Sequence, residues 1–305
     1  GCEMASFFAA LGTKVTILEF QSQLLPGTDP DISRALGRAF KRAKIDVRLG
    51  AAAQQATIVN GPVTLTLKEG EPIEAQKVLV AIGITANTEA LQLEKLGIET
   101  QRGFVVVDPE TYQTNIPGVY AIGDVISLRN FLLPHPGLAH VASAEGELAV
   151  ETILEGKPSW TIDYENIPFG IFTDPEIGFV GLTEEQAKTR YPDHADKIVT
   201  QRLNDQWMGI GIALEETLGI TKLVIDELKY GRILGAHIIG PSATERIHEI
   251  MIARRAEESA RTMVRQPFAH PTFSEGIREA LLALDGRAVH IPVLAQQKRK
   301  EGKSP

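Results

Sequence analysis

The sequence is short of sulfur, of long apolar runs and of positive charge. Cys2 is the only cysteine among 305 residues. That excludes a disulfide within the chain and any zinc site built from several cysteines. A lone thiol fits a reducing compartment, so a cytoplasmic location is expected. Cys2 itself reads as a small buried helix residue rather than a reactive thiol. No apolar stretch approaches a bilayer span, and no membrane association is expected. The opening residues lack the basic segment and apolar run of a signal peptide. Lysine and arginine total 31 against 39 aspartate and glutamate, a net charge of -8. That balance argues against general nucleic-acid binding, and no nucleic-acid partner is expected. No serine sits in a G-x-S-x-G elbow. His248-Glu249 has Ile252 where a zinc-protease helix needs its second histidine. His135 and His140 flank a Pro-Gly loop. No metal site is expected.

What remains is ordinary globular composition, 43% hydrophobic and 23% charged, in a chain long enough for two or three domains. Residue 1 is glycine, not an initiator methionine, and already lies in a helical pattern. The chain is therefore expected to be a piece of a longer protein. Met4, Phe7, Phe8 and Leu11 recur at helical spacing, and Gly12 stops that helix. Val15 to Phe20 reads as a buried strand. A helix is expected over about Asp31 to Ala43, capped by Asp29 or Asp31. Strands are expected at Val63–Leu67 and Val78–Ile82. This alternation predicts an incomplete α/β, Rossmann-like nucleotide-binding region. Further strands are expected at Gly103–Val107 and Gly118–Asp124, then a helix from Ala139 to about Leu154. From about Ile162 strands mix with helices at 183–189, 243–256 and 274–284, which predicts α+β architecture. Residues 297–305 read as a disordered polar tail.

Three constellations could carry chemistry. Gly1 precedes a helix and Glu19 closes the next strand. Those are the places of a packing glycine and a ribose-binding acid in a dinucleotide-binding unit. Chance also produces such a pair. An acid there favours NAD over NADP, because it would repel a 2′-phosphate. Next, an apolar run reaches Gly123-Asp124, which sets a carboxylate where it could bind a sugar or ribityl hydroxyl; a plain turn is the alternative. The helix that follows could turn its N-terminus to a polar cofactor group. Third comes His270-Pro271-Thr272-Phe273-Ser274-Glu275. Its spacing suits a capping box, with Thr272 as N-cap and Glu275 at N3. It equally suits a His–Glu dyad in which the carboxylate orients a general base.

Taken in order, these motifs resemble the flavin-dependent pyridine nucleotide–disulfide oxidoreductases, and within them the dihydrolipoyl dehydrogenase branch. The resemblance runs through Gly1–Ala5, Val15–Glu19, Val78–Gly83, Val119–Val125, Leu138–His140, Phe172–Ile177, Val180–Thr183, Leu234–Gly240 and the His270 segment. It implies an NAD-binding domain over 1–83 and the end of an FAD-binding or central domain over 84–160. A dimerisation domain over 161–290 and a tail over 291–305 would follow. Glu19, Ala53 and Gly83 match NAD-contacting positions, and Gly1 is the packing glycine. Asp124 and Ala139 match FAD-contacting positions. His270 matches the catalytic acid–base and Glu275 its partner. The implied protein is a homodimer using FAD and NAD. It would oxidise dihydrolipoyl groups borne by a 2-oxo acid dehydrogenase or glycine cleavage complex.

Two departures stand out. The family's redox cysteine pair does not occur in this chain. Gly83-Ile84-Thr85-Ala86-Asn87 replaces a usual Gly-Arg-x-Pro-Asn. Leu128–Pro136 also looks longer and more apolar than usual. The competing expectations are a glutathione-type, mercuric or transhydrogenase relative, or a non-catalytic dimerisation or NAD-binding module. A mercuric enzyme would need a C-terminal cysteine pair. A glutathione-type enzyme would need basic residues near Glu19. Transhydrogenase relatives usually lack the histidine.

Overall fold

A computed structural model describes residues 1–58, 61–130 and 135–291. The proposed tail over 297–305, and part of the Leu128–Pro136 segment, lie outside the described residues. The chain forms two compact units, one from Gly1–Val80 with Glu165 onward, the other from Ala81–Tyr164.

The first unit opens with helix α1 (Cys2–Ala10), strand β1 (Thr16–Glu19), helix α2 (Pro30–Arg42) and strand β2 (Asp46–Leu49). β1 and β2 pair in parallel. Local chemistry accounts for α2. Asp29 caps it by accepting from the Asp31 amide at 2.9 Å, and Pro30 supplies a first-turn residue that needs no donor. Lys41 and Arg42 complement the dipole at its end. Ile32, Ala35, Leu36, Ala39 and Phe40 are its buried stripe. β3 (Ala53–Ile58), β4 (Val63–Leu67) and β5 (Ile73–Ala75) make an antiparallel sheet. The expected strand over 78–82 has no ladder among the described residues. Val78, Leu79, Val80 and Ile82 are 40% to 92% exposed there. Its β-branched composition is right, but no neighbouring strand pairs with it.

The second unit contains β6 (Thr100–Gln101), β7 (Phe104–Val107), β8 (Ile126–Leu128) and helix α3 (Ala139–Glu155). Tyr112, Val107, Ile126 and Leu148 lie in its core. The expected strand over 118–124 is absent. Only a single bridge joins Tyr120 to Gln113, and Gly123–Val125 forms a 3₁₀ turn. Gly123 explains the break, since its φ of +74° belongs to the left-handed region.

The first unit resumes with β9 (Phe169–Ile171), β10 (Ile177–Gly181), α4 (Glu184–Arg190), β11 (Ile198–Asn204) and α5 (Gly209–Ala213). β12 (Ile220–Asp226), β13 (Arg232–Ile239), α6 (Ala243–Arg255), α7 (Ala260–Met263) and α8 (Glu275–Leu284) complete it. The strands form an antiparallel sheet in the order β11-β12-β13-β10-β9. β12 is buried along its whole length, because it lies between two other strands and under helices. Leu203, Leu223, Ile238, Ile247, Ile277 and Leu281 share its core, each contributing roughly 1.5–3 kcal/mol by burial.

Candidate active site

α8 begins at Glu275, and the chain before it folds back so that His270 meets that first helical residue. His270 Nδ1 lies 3.0 Å from Glu275 Oε1 and 3.1 Å from Oε2. The Thr272 amide also donates to Oε2, at 2.9 Å. Half of the expected capping box is therefore present. The other half is not: Thr272 Oγ1 donates to the Ala269 carbonyl, and Ser274 is the N-cap. Glu275 reaches back as the box requires, while the turn over 272–274 carries the threonine hydroxyl away from the helix.

The pair has one sheltered member and one open one. The Glu275 side chain is 16% exposed and the His270 ring 72%. A carboxylate accepting from Nδ1–H selects the tautomer in which Nε2 is unprotonated. The open ring then presents a base to a reacting group. Beside Glu275 lies a cavity of about 200 Å³ lined by Pro267, Phe268, Glu275, Arg278, Glu279 and His290. Glu279, one helical turn beyond Glu275, accepts from the Val289 and His290 amides at 2.9 and 3.0 Å. Its other oxygen stands 3.3 Å from His290 Nδ1. Sequence reasoning missed this second His–Glu pair. The i,i+4 spacing of the two glutamates was a usable signal, but the chain's return after α8 was not.

In the second unit, Asp124 is exposed on the 3₁₀ turn. A Cβ on Gly123 would stand 3.2 Å from that of Ala142, so this turn is pressed against α3. Ala139 opens α3, whose Leu138 N-cap supplies no side-chain hydrogen bond. Gly137, in the same approach, lies close to the Asp124 carboxylate. The exposed carboxylate and the start of α3 thus share one neighbourhood. A buried residue that the sequence did not single out holds them there. Glu145, 0% exposed, accepts from the Gly123 amide at 2.7 Å. It also accepts from His135 Nε2 and the Tyr164 hydroxyl, each at 2.7 Å. Burial works against its ionisation, but the hydrogen bonds from His135, Tyr164 and Gly123 outweigh that and hold its pKa below the usual range. The same network raises the Tyr164 pKa, by burial first and then through Tyr112 and Glu145.

Gly1 caps α1 without a side-chain hydrogen bond. Glu19 ends β1, with Oε1 accepting from the Gln21 amide at 2.8 Å. The Glu19 carbonyl accepts from the Ala51 amide at 3.0 Å, which brings the start of β3 at Ala53 near the end of β1. Gly83 belongs to the other unit and is exposed with φ +143°.

A family model described as pyridine nucleotide-disulphide oxidoreductase matches residues 1–146. The dimerisation-domain model of that family matches residues 167–281. A dihydrolipoyl dehydrogenase of Chlorobaculum parvum is 39% identical over 93% of this chain and 58% of its own length. That of Geobacillus stearothermophilus is 37% identical over 95% of this chain and 60% of its own. Among solved structures, the HOCl-induced flavoprotein disulfide reductase RclA from Escherichia coli superposes with a TM-score of 0.79 at 26% identity, over 91% of this chain and 61% of its own. The chain thus spans about three fifths of the length of these relatives. With both matched regions in tandem along it, the chain belongs to the pyridine nucleotide-disulphide oxidoreductase family.

Proposed function

We propose that this chain is part of an FAD-dependent, NAD-linked dihydrolipoyl dehydrogenase, in which His270 is the acid–base and Glu275 orients it. The observation that carries this reading is the His270–Glu275 contact at 3.0 Å, with the ring left open. A thiol attacks a disulfide only as thiolate. His270 Nε2 takes the proton from the substrate thiol, and the Glu275 carboxylate stabilises the imidazolium that results. The thiolate displaces one sulfur of a redox disulfide. With Cys2 as its single cysteine, this chain does not form that disulfide from its own residues.

The chain's residues suit both cofactors. Asp124 and the start of α3 offer a carboxylate for ribityl or ribose hydroxyls and a helix N-terminus for a polar cofactor group. The Glu19 carboxylate at the end of β1 suits a ribose 2′-hydroxyl, with Gly1 and Ala53 in the same unit as further NAD contacts. When bound, the two nucleotides carry the electron pair away from the reduced disulfide.

The protein acts as a homodimer through residues 161–290, and His270 serves the flavin and disulfide of the second subunit. Its partner is a lipoyl-bearing protein of a 2-oxo acid dehydrogenase or glycine cleavage complex. The cytoplasm is the proposed compartment. Among the described residues no helix is long and apolar enough to cross a membrane.

The test is NAD reduction by dihydrolipoamide with the full-length, flavin-loaded protein. His270→Gln is expected to lower kcat by about 10²–10⁴-fold. Undiminished turnover in that variant would remove His270 from the mechanism. A reductase for a different disulfide is the second reading, favoured by the likeness to RclA. Turnover of another dithiol with none of dihydrolipoamide would select it.

A further inference from the structure

The turn that carries His270 rests on a buried charge that the proton transfer does not use. α6 presents Arg246 and Glu249, one helical turn apart, to residues 273–276. Glu249 accepts a hydrogen bond from Ser274 Oγ at 2.5 Å. The Arg246 guanidinium lies 5.8 Å from the centre of the Phe273 ring. A Cβ on Gly276 would come within 3.0 Å of Arg246 Nη2, so the first turn of α8 also abuts this group. Arg246 is 3% exposed.

Two strands fix the guanidinium from the other side. Nη2 donates to Thr221 Oγ1 on β12 at 2.5 Å. Nη1 stands 3.7 Å from Asp205 Oδ2, just past the end of β11. Asp205 is 0% exposed, and no described donor hydrogen-bonds to its carboxylate. Burial pushes the Asp205 pKa up to about 6, against the pull of Arg246.

A buried ion pair adds little stability over apolar side chains of similar volume. It does supply a rigid, planar platform, and a desolvated guanidinium favours an aromatic face. The catalytic turn needs one. His270 and Pro271 are exposed, and the segment meets the fold through Phe273, Ser274 and the start of α8.

We propose that Arg246, pinned by Asp205 and Thr221, is a positioning residue that sets where the His270–Glu275 pair stands. The inference rests on reading His270 as the acid–base. Its test uses the full-length, flavin-loaded protein with Arg246→Met and, in case that variant does not fold, Phe273→Leu. Two activities are compared. Dihydrolipoamide oxidation requires thiol deprotonation, whereas oxidation of NADH by benzoquinone does not. Each variant is expected to lower kcat for dihydrolipoamide about tenfold or more while leaving quinone reduction within about twofold. In a crystal structure of the Phe273→Leu variant, the His270–Glu275 contact of 3.0 Å should be lengthened or lost. A parallel fall of both activities would mark a general structural role and overturn the proposal. So would an unmoved pair with unchanged dihydrolipoamide turnover. A wild-type protein that reduces quinone but does not oxidise dihydrolipoamide would refute the assigned reaction; the crystal structures would still decide the positioning role.

Discussion

At the scale of the residue, the proposed chemistry depends on one exposed ring and one sheltered carboxylate. Glu275 serves two donors, the His270 ring and the Thr272 amide. Replacing it therefore affects the turn as well as the tautomer. Glu275→Gln keeps the shape but can offer its amide nitrogen to Nδ1, which favours the wrong tautomer. Dihydrolipoamide turnover is expected to fall roughly tenfold or more, with little change in NADH oxidation by quinone. Equal turnover in Glu275→Gln and wild type would show that the carboxylate does not orient the base. Cys2 shows the contrasting case. Burial, with the nearby Glu19 and Glu3, raises its pKa, which disfavours the thiolate.

At the scale of the element, α2 is joined to the large sheet by charge. Lys222 of β12, 6% exposed, reaches Asp29 at 2.9 Å and Asp31 at 2.8 Å. Arg202 of β11 adds a contact to Asp31 at 3.2 Å. Asp29 is also the α2 cap, so the residue that starts the helix also docks it. Burial opposes ionisation of Asp31, but hydrogen bonding and charge from Lys222, with Arg34 and Arg202, bring its pKa down to about 2. Its contribution, about 2 kcal/mol, is present above the unfolded carboxylate pKa near 4. It is lost as pH falls from there through 2. Urea unfolding between pH 2 and 7 should show this loss, and Lys222→Met should reduce it. That variant is expected to cost about 3–5 kcal/mol at neutral pH by leaving buried carboxylates without a cation. A pH profile identical in variant and wild type would mean that Lys222 does not set the Asp31 titration.

At the scale of the whole molecule, the proposal places each His270 at the other subunit's disulfide. Sedimentation of the full-length protein is then expected to return twice its chain mass. Co-expression offers a stricter check. Subunits carrying His270→Gln, mixed with subunits lacking the redox cysteines, should form dimers with one intact site and regain dihydrolipoamide turnover. Separate homodimers of either kind should have almost none. Mixed dimers as inactive as their parents would show that histidine and disulfide serve within one subunit.

Much of this protein was determined by sequence alone. The α2 boundaries follow from Asp29-Pro30 and its apolar stripe, and the end of α3 follows from Gly156. The His270–Glu275 spacing allowed both a cap and a dyad, and the two share one carboxylate. Other features were decided only by tertiary structure. The run over 78–82 has strand composition but no strand partner among the described residues, and a strand exists only when its hydrogen bonds find a neighbour. β11 escaped the sequence reading because Ile198–Asn204 is mostly half-buried and mixes polar with apolar residues. Its burial comes from β12 and α8. Glu145 and Arg246 carry no local signature. Their partners lie far along the chain, as Gly123 and Tyr164 in one case and Asp205, Thr221 and Phe273 in the other. Periodicity reports which face of an element is apolar. Only the packed fold brings distant polar groups together in low dielectric, where their hydrogen bonds and charges become strong.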